Sequence, residues 1–261
     1  PLDTVSNGNK NLNNNFFLTT FLTTVKTNMT ILSTAISQSN YIPWKGYFDL
    51  IAMVDQFVIY DEVQYTRRDW RNRNIIKTAN GLKWLSIPVS AKGKYLQRID
   101  EVVVSDLNWR FGHWRSITSN YAKARYFKEV TSWLEPLYFS KLSENLSKIN
   151  YTFICAICDY LNIETKISFS TDFGFSRHTA SKSKRLLNIC IELSAKNYIS
   201  GKKAQQYLNT ELFKTKGINV LWFDDSEYVE YPQLWGGFEH KVSILDLLFN
   251  CGKDSRNFLK Y

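Results

Sequence analysis

Between Ile31 and Tyr60 the chain changes its hydrophobic period twice, and no other feature constrains the fold as much. Ile31 to Ile36 is an apolar run of strand length. Lys45 to Val54 then sets Tyr47, Phe48, Leu50, Ile51 and Val54 on one helical face, and Phe57 to Tyr60 is a second short apolar run. Strand, helix and strand in so short a span predict a parallel βαβ unit with a right-handed crossover. Ligands of such sheets gather beyond the carboxyl ends of the strands. Both dense polar clusters of the sequence, Gln38 to Trp44 and Asp61 to Asn74, fall at those ends.

The remaining chain extends this pattern. Ile75 to Lys77 and Trp84 to Val89 flank Ala79-Asn80-Gly81, a hairpin signal that predicts an antiparallel addition to the sheet. Trp109 to Ala124, Phe127 to Phe139 and Leu142 to Leu161 carry apolar residues three and four apart and read as helices of an insertion or subdomain at about 107–162. Strands at Lys166 to Phe169, Tyr198 to Gly201 and Val220 to Phe223 then alternate with helices at Ser181 to Ala195 and from Lys202. The expected fold is α/β: a mostly parallel, Rossmann-like sheet with flanking helices and a helical insertion. One domain is expected over 29–261. Residues 1–28, rich in Asn and Thr, are expected to be a poorly ordered extension foreign to it.

Composition narrows the function classes. The formal charge of +9 suits an acidic partner. Lys and Arg are dispersed among Asp and Glu, however, with no recognition-helix or aromatic-basic strand pattern, so nucleic acid is not expected as a partner. A phosphorylated small molecule is. No run reaches the length of a membrane-spanning helix, and Phe16 to Leu22 is too short and Thr-rich, so a cytoplasmic location is expected. Cys155 and Cys158 have a metal-like spacing but lie in the apolar helical segment Tyr151 to Cys158, which favours packing of reduced thiols. His113, His178 and His240 are too dispersed to imply a metal, and none is predicted. Glycine patterns for dinucleotides, P-loops and nucleophile elbows are absent. His113, among Trp109, Phe111 and Trp114, reads as a packing residue.

The polar clusters supply the candidate site. Arg68, Arg71, Arg73 and Lys77, with Arg67, suit phosphate or carboxylate. Gln38, Asn40, Gln64 and Asn72 offer amides to sugar hydroxyls, while Tyr41, Trp44, Tyr65 and Trp70 offer stacking surfaces. Asp61 is a candidate base or orienting carboxylate. Asp246, flanked by apolar residues, reads as a structural acceptor or a site residue.

These same residues resemble the WbqC-like family over Met29 to Tyr261. The resemblance rests on Gln38-x-Asn40-Tyr41-Ile42-Pro43-Trp44-Lys45-Gly46-Tyr47-Phe48, Asp61-x-Val63-Gln64-Tyr65, Asp69-Trp70-Arg71-Asn72-Arg73-Asn74-x-Ile76-Lys77-Thr78 and Trp84-Leu85-x-Ile87-Pro88-Val89. It continues in Ser200-Gly201, Tyr231-Pro232-Gln233 and Ser243 to Asn250. Where many members carry His-Gln-Pro this chain has Ser37-Gln38-Ser39, so a histidine role does not transfer there and Gln38 takes its place as the candidate. The resemblance implies a transferase of bacterial O-antigen or other surface-polysaccharide synthesis. It would move a glycyl or other acyl group from an activated donor onto the amine of a nucleotide-linked amino sugar. Asp61 or His178 would take the proton, amides including Gln38 would stabilise the oxyanion, and the arginines would bind phosphate. Two other readings stand beside it. One is a non-catalytic sugar-nucleotide or glycan-binding partner of a glycan-assembly complex. The other is a nucleotidyl-transferase-like enzyme, although the His-x-Gly-His loop is missing between Ser37 and Tyr47.

Overall fold

The computed structural model describes residues 32–140, 143–174 and 181–261. The expected extension at 1–28 lies outside the described residues, as does His178. Five parallel strands form the main sheet: β1 (Ser33–Ser37), β2 (Gln56–Ile59), β5 (Lys166–Phe169), β6 (Asn197–Gly201) and β7 (Asn219–Phe223). Their order is β5-β2-β1-β6-β7. The chain winds outward from β1 through β2 to β5, then crosses back to lay β6 and β7 on the other side. That reversal beside β1 is the Rossmann-type switch point, where a crevice opens between diverging connections.

Alternation along the strands explains the layers. Ala35 and Phe57 face one apolar cluster, and their neighbours Ile36 and Val58 face another. Helix α1 (Lys45–Ala52) covers the first face with Phe48 and Ile51. Helices α5 (Lys182–Glu192) and α6 (Thr210–Lys214) cover the second with Leu186, Leu187, Ile189 and Phe213. Burial on both faces is what permits an all-parallel sheet. Among the described residues no helix is long and apolar enough to cross a membrane.

The insertion contains α2 (Trp109–Tyr121), α3 (Phe127–Phe139) and α4 (Leu146–Tyr160). Ile117, Leu134, Tyr138 and Phe153 of these helices join the cluster built on Ala35 and Phe57, so the helical segment shares the core of one sheet face. Helix α7 (Ile244–Cys251) packs into the same cluster through Leu245, Leu248 and Phe249.

One expectation is corrected. The hairpin of β3 (Arg73–Thr78) and β4 (Gly81–Ser86) is not an addition to the main sheet but a separate two-stranded sheet. Its backbone edge is engaged elsewhere: Ser243 N–H donates to the Ile75 carbonyl, and Tyr121 Oη accepts from Lys77 N–H. Only the turn reads as foreseen, with Gly81 at φ 99°, a value that favours glycine. The segment from Lys202 also differs, forming a 3₁₀ turn to Gln206 before α6. All four cysteines are free, and Cys158, Cys190 and Cys251 are buried.

Candidate functional site

The loop after β1 is held by residues scattered widely in sequence. Asp61, just beyond β2, is 2% exposed and accepts from Ser39 N–H at 2.8 Å, from Ser39 Oγ at 2.6 Å and from Ser147 Oγ. Burial raises its pKa, and these hydrogen bonds and the Arg71 charge oppose the rise. Asn150 Nδ2 donates to Ser39 Oγ and to the Arg71 carbonyl, both at 2.9 Å. The Arg71 guanidinium in turn donates to Gln38 Oε1, to Asn40 Oδ1 and, at 3.3 Å, to the Ser39 carbonyl. One planar fork thereby fixes both amide side chains of the loop. Asp69, 3.6 Å from Arg71, balances part of its charge.

Farther along, Ile42 has φ 36°, an unfavourable value for a β-branched residue. Its carbonyl is clamped by Asn74 Nδ2 at 2.9 Å and Ser243 Oγ at 2.8 Å, and Asn74 also binds the Tyr41 carbonyl at 3.1 Å. Strain of this kind persists only where surrounding contacts over-determine it. The conformation entering Pro43 and Trp44 is therefore imposed by the fold.

Two cavities adjoin this loop. The first, of about 790 Å³, lies at the carboxyl ends of β1 and β6, where Ser37, Gln38, Ser200 and Gly201 line it. Lys182 and Arg185 of α5, Lys203 and Arg98 bring positive charge to it, against Glu62. Arg98 is already forked onto Asp100 at 2.8 and 2.9 Å. Tyr60 and Tyr207 add aromatic surface, and Lys182 Nζ sits 5.6 Å from the Tyr207 ring centre. The second cavity, of about 760 Å³, is lined by Asn40, Trp44, Trp70 and Asn74 together with residues beyond β7.

The sequence-derived candidates thus divide among several places. Gln38 and Gln64 line the first cavity, and Gln64 Nε2 donates to the Tyr95 carbonyl at 2.6 Å. Asn40, Trp44 and Trp70 line the second. Tyr65, Arg68 and Asn72 border a smaller cleft of about 530 Å³ with Arg67, and Asn72 Nδ2 also binds the Ile87 carbonyl. Arg73 stacks on Trp84 at 4.0 Å and donates to the Arg68 carbonyl. Arg71 lines neither large cavity but tethers one amide of each.

Asp61, Tyr41 and Lys77 are buried in the framework. Asp61 is among the lining residues of neither large cavity. Tyr41 is fully buried, its hydroxyl 2.9 Å from His113 Nδ1 and 2.7 Å from Tyr138 Oη. Lys77 is buried apart from the others, donating to Gln233 Oε1 at 2.8 Å and to the Gly237 carbonyl. It lies near Asp246, which accepts from Tyr121 and Tyr231 at 2.8 and 2.9 Å. Sequence reasoning missed Lys182, Arg185, Lys203, Glu62, Tyr207 and Tyr228. The signal was present for Lys203, because Lys202-Lys203 directly follows the strand ending at Gly201, and the rule applied to the first two strands holds there too.

A doubly wound parallel sheet with a basic cleft at its switch point defines a Rossmann-like α/β protein. The chain belongs to the WbqC-like protein family, whose model matches residues 38–258. It is 48% identical over 227 residues to the uncharacterized protein Rv1507c of Mycobacterium tuberculosis, covering 87% of this chain and 97% of that one. No solved structure matches it.

Proposed function

We propose that the protein is a transferase acting on a nucleotide-linked amino sugar, moving a glycyl or other acyl group onto its amine during assembly of a surface polysaccharide. The observation that supports this most is the basic cleft at the β1–β6 switch point, with Lys182, Arg185 and Lys203 around Gln38. Cations at the carboxyl edge of a parallel sheet suit a nucleoside diphosphate, and Tyr60 and Tyr207 suit its base. In the reaction a nitrogen–carbon bond forms between the amine and the acyl carbon of an activated donor. The bond from that carbon to the donor's leaving group breaks, and the amine surrenders a proton to a carboxylate or imidazole of the site. Because Gln38 Oε1 is engaged by Arg71, the amide presents its N–H2 group to a ligand, which suits an oxyanion. Asp61 serves in this reading as the positioning residue for Ser39.

A second reading, a non-catalytic sugar-nucleotide-binding partner, is favoured by one observation: Asp61, the carboxylate nominated from sequence, is sealed beneath the loop. One experiment separates the two. The protein is incubated with dTDP- and UDP-linked amino sugars and thioester or acyl-adenylate donors, and the sugar nucleotides are weighed by mass spectrometry. A gain equal to the acyl group is expected. Binding with no gain for any donor leaves the binding-partner reading, and no binding of any nucleotide removes both.

A further inference from the structure

The second cavity is built for a different chemistry from the first. The Gln38–Trp44 loop contributes to both, Gln38 to the first and Asn40, Pro43 and Trp44 to the second, while Lys203 lines both and marks where they meet. The indoles of Trp44 and Trp70 and the phenol ring of Tyr228 form the aromatic part of the second cavity; Asp225 and Glu227 bring carboxylates, His240 an imidazole, and Lys241 a further cation.

The backbone that carries the acidic wall is anchored. Segment 225–228 follows β7, and Lys45 and Lys260 Nζ lie 4.8 and 4.9 Å from the centre of the Tyr228 ring, with Trp44 packed against it at 5.4 Å. Lys45 Nζ donates to the Val229 carbonyl at 2.9 Å, and Lys260 Nζ donates to the Ser226 carbonyl. Glu227 itself has φ 55°, an uncommon conformation for a non-glycine residue, between those two anchors. Opposite, Asn40 Oδ1 is held by Arg71, so this amide also offers N–H2 to a ligand. Two exposed carboxylates on an anchored stretch of backbone, beside flat aromatic surface and an amide, suit a polar ring carrying an ammonium group.

We infer that the two cavities are halves of one elongated site. The nucleoside occupies the switch-point cleft, the phosphates pass Lys203, and the sugar lies against Trp44 and Trp70 with its ammonium on Asp225 and Glu227. This assignment rests on the transferase reading for its ligand and adds which wall selects the amine. A hydroxyl in place of the ammonium forfeits the charge pairing, so amino and hydroxy sugars are discriminated here, by about tenfold or more.

Calorimetric titration of the full chain with UDP, UDP-glucosamine and UDP-glucose tests this. The wild type is expected to prefer UDP-glucosamine over UDP-glucose by at least about tenfold. The double variant Asp225→Asn/Glu227→Gln is expected to lose that preference while keeping its affinity for UDP, and Lys203→Ala to weaken all three ligands. Equal binding of the two sugar nucleotides by the wild type, or a preference retained by the double variant, overturns the sugar subsite and leaves the nucleotide cleft standing. Failure of the wild type to bind UDP strikes the nucleotide cleft instead. The subsite is then judged with methyl glucosaminide against methyl glucoside by tryptophan fluorescence, and absence of a preference for the amine overturns it as well. A melting curve on each variant separates lost recognition from lost folding.

Discussion

Asp61 accepts both the backbone N–H and the hydroxyl of Ser39, at 2.8 and 2.6 Å, and thereby joins the carboxyl end of β2 to that of β1. Removing it leaves a buried N–H and two hydroxyls without their acceptor. Asp61→Ala is expected to cost about 3 kcal/mol, measured by urea unfolding. Asp61→Asn keeps one acceptor oxygen and should cost less. Its deficit should also shrink as pH rises above 3.8: burial raises the folded pKa above that value, so the stabilisation carried by the native acid is largest below it and declines through the folded pKa. A deficit of Asp61→Asn that grows with pH would contradict the account of a burial-dominated carboxyl.

Arg71 reaches Gln38 and Asn40 with separate nitrogens of one guanidinium, a geometry lysine cannot copy. Arg71→Lys is expected to fold and to bind UDP about tenfold more weakly, since the amides facing the two cavities lose their common tether. Thermal melting and titration calorimetry together check this. An unchanged affinity in a folded variant would mean that the amides do not contribute to binding.

Gly46 lies in α1 directly over the Trp44 indole. A Cβ built there would sit 2.6 Å from Cη2 and 2.8 Å from Cε2 of that ring. Replacing a helical glycine by alanine ordinarily stabilises by about 1 kcal/mol. Overpacking against a rigid ring costs about 1–3 kcal/mol, so the clash should win and Gly46→Ala should be destabilised with altered tryptophan fluorescence. A raised melting temperature would show that Trp44 has room to move.

His113 is held in the neutral form by burial, which lowers its pKa from 6.5 to about 4. Nε2–H faces the Ser86 carbonyl at 3.2 Å, leaving Nδ1 to accept from Tyr41. Unfolding at acid pH lets the ring take up a proton that the folded state refuses. The stabilisation is therefore complete above 6.5 and is lost as pH falls towards 4, by about 3 kcal/mol. His113→Gln should show a shallower decline over that interval in denaturant titrations at stepped pH. Parallel declines for the two proteins would place the acid sensitivity elsewhere.

Much of this was legible in the sequence because it is written locally. The apolar face of Lys45 to Val54 and the short runs on either side announce β1, α1 and β2, and strand ends follow from strands. The hairpin turn was equally plain, but its partner was not: Ser243, far along the chain, occupies the Ile75 carbonyl that sheet addition would have used. Where Arg71, Arg73 and Lys77 of the basic set would point was hidden for a similar reason. Strand β3 and the turn before it direct the first to the β1 loop, the second onto Trp84 and the third towards Gln233.

The sequence by itself determined the βαβ start, the α/β class and the family, since period, turn chemistry and motif are properties of neighbouring residues. Only the tertiary structure decided that Asp61 is buried under Ser39, that Arg71 joins two amides, and that Lys182 and Lys203 meet Gln38 across the switch point. The last of these depends on β6 being laid beside β1 after the helical insertion. That order is set by burying Ala35 and Ile36 on opposite faces of one sheet, a packing condition that no local stretch encodes.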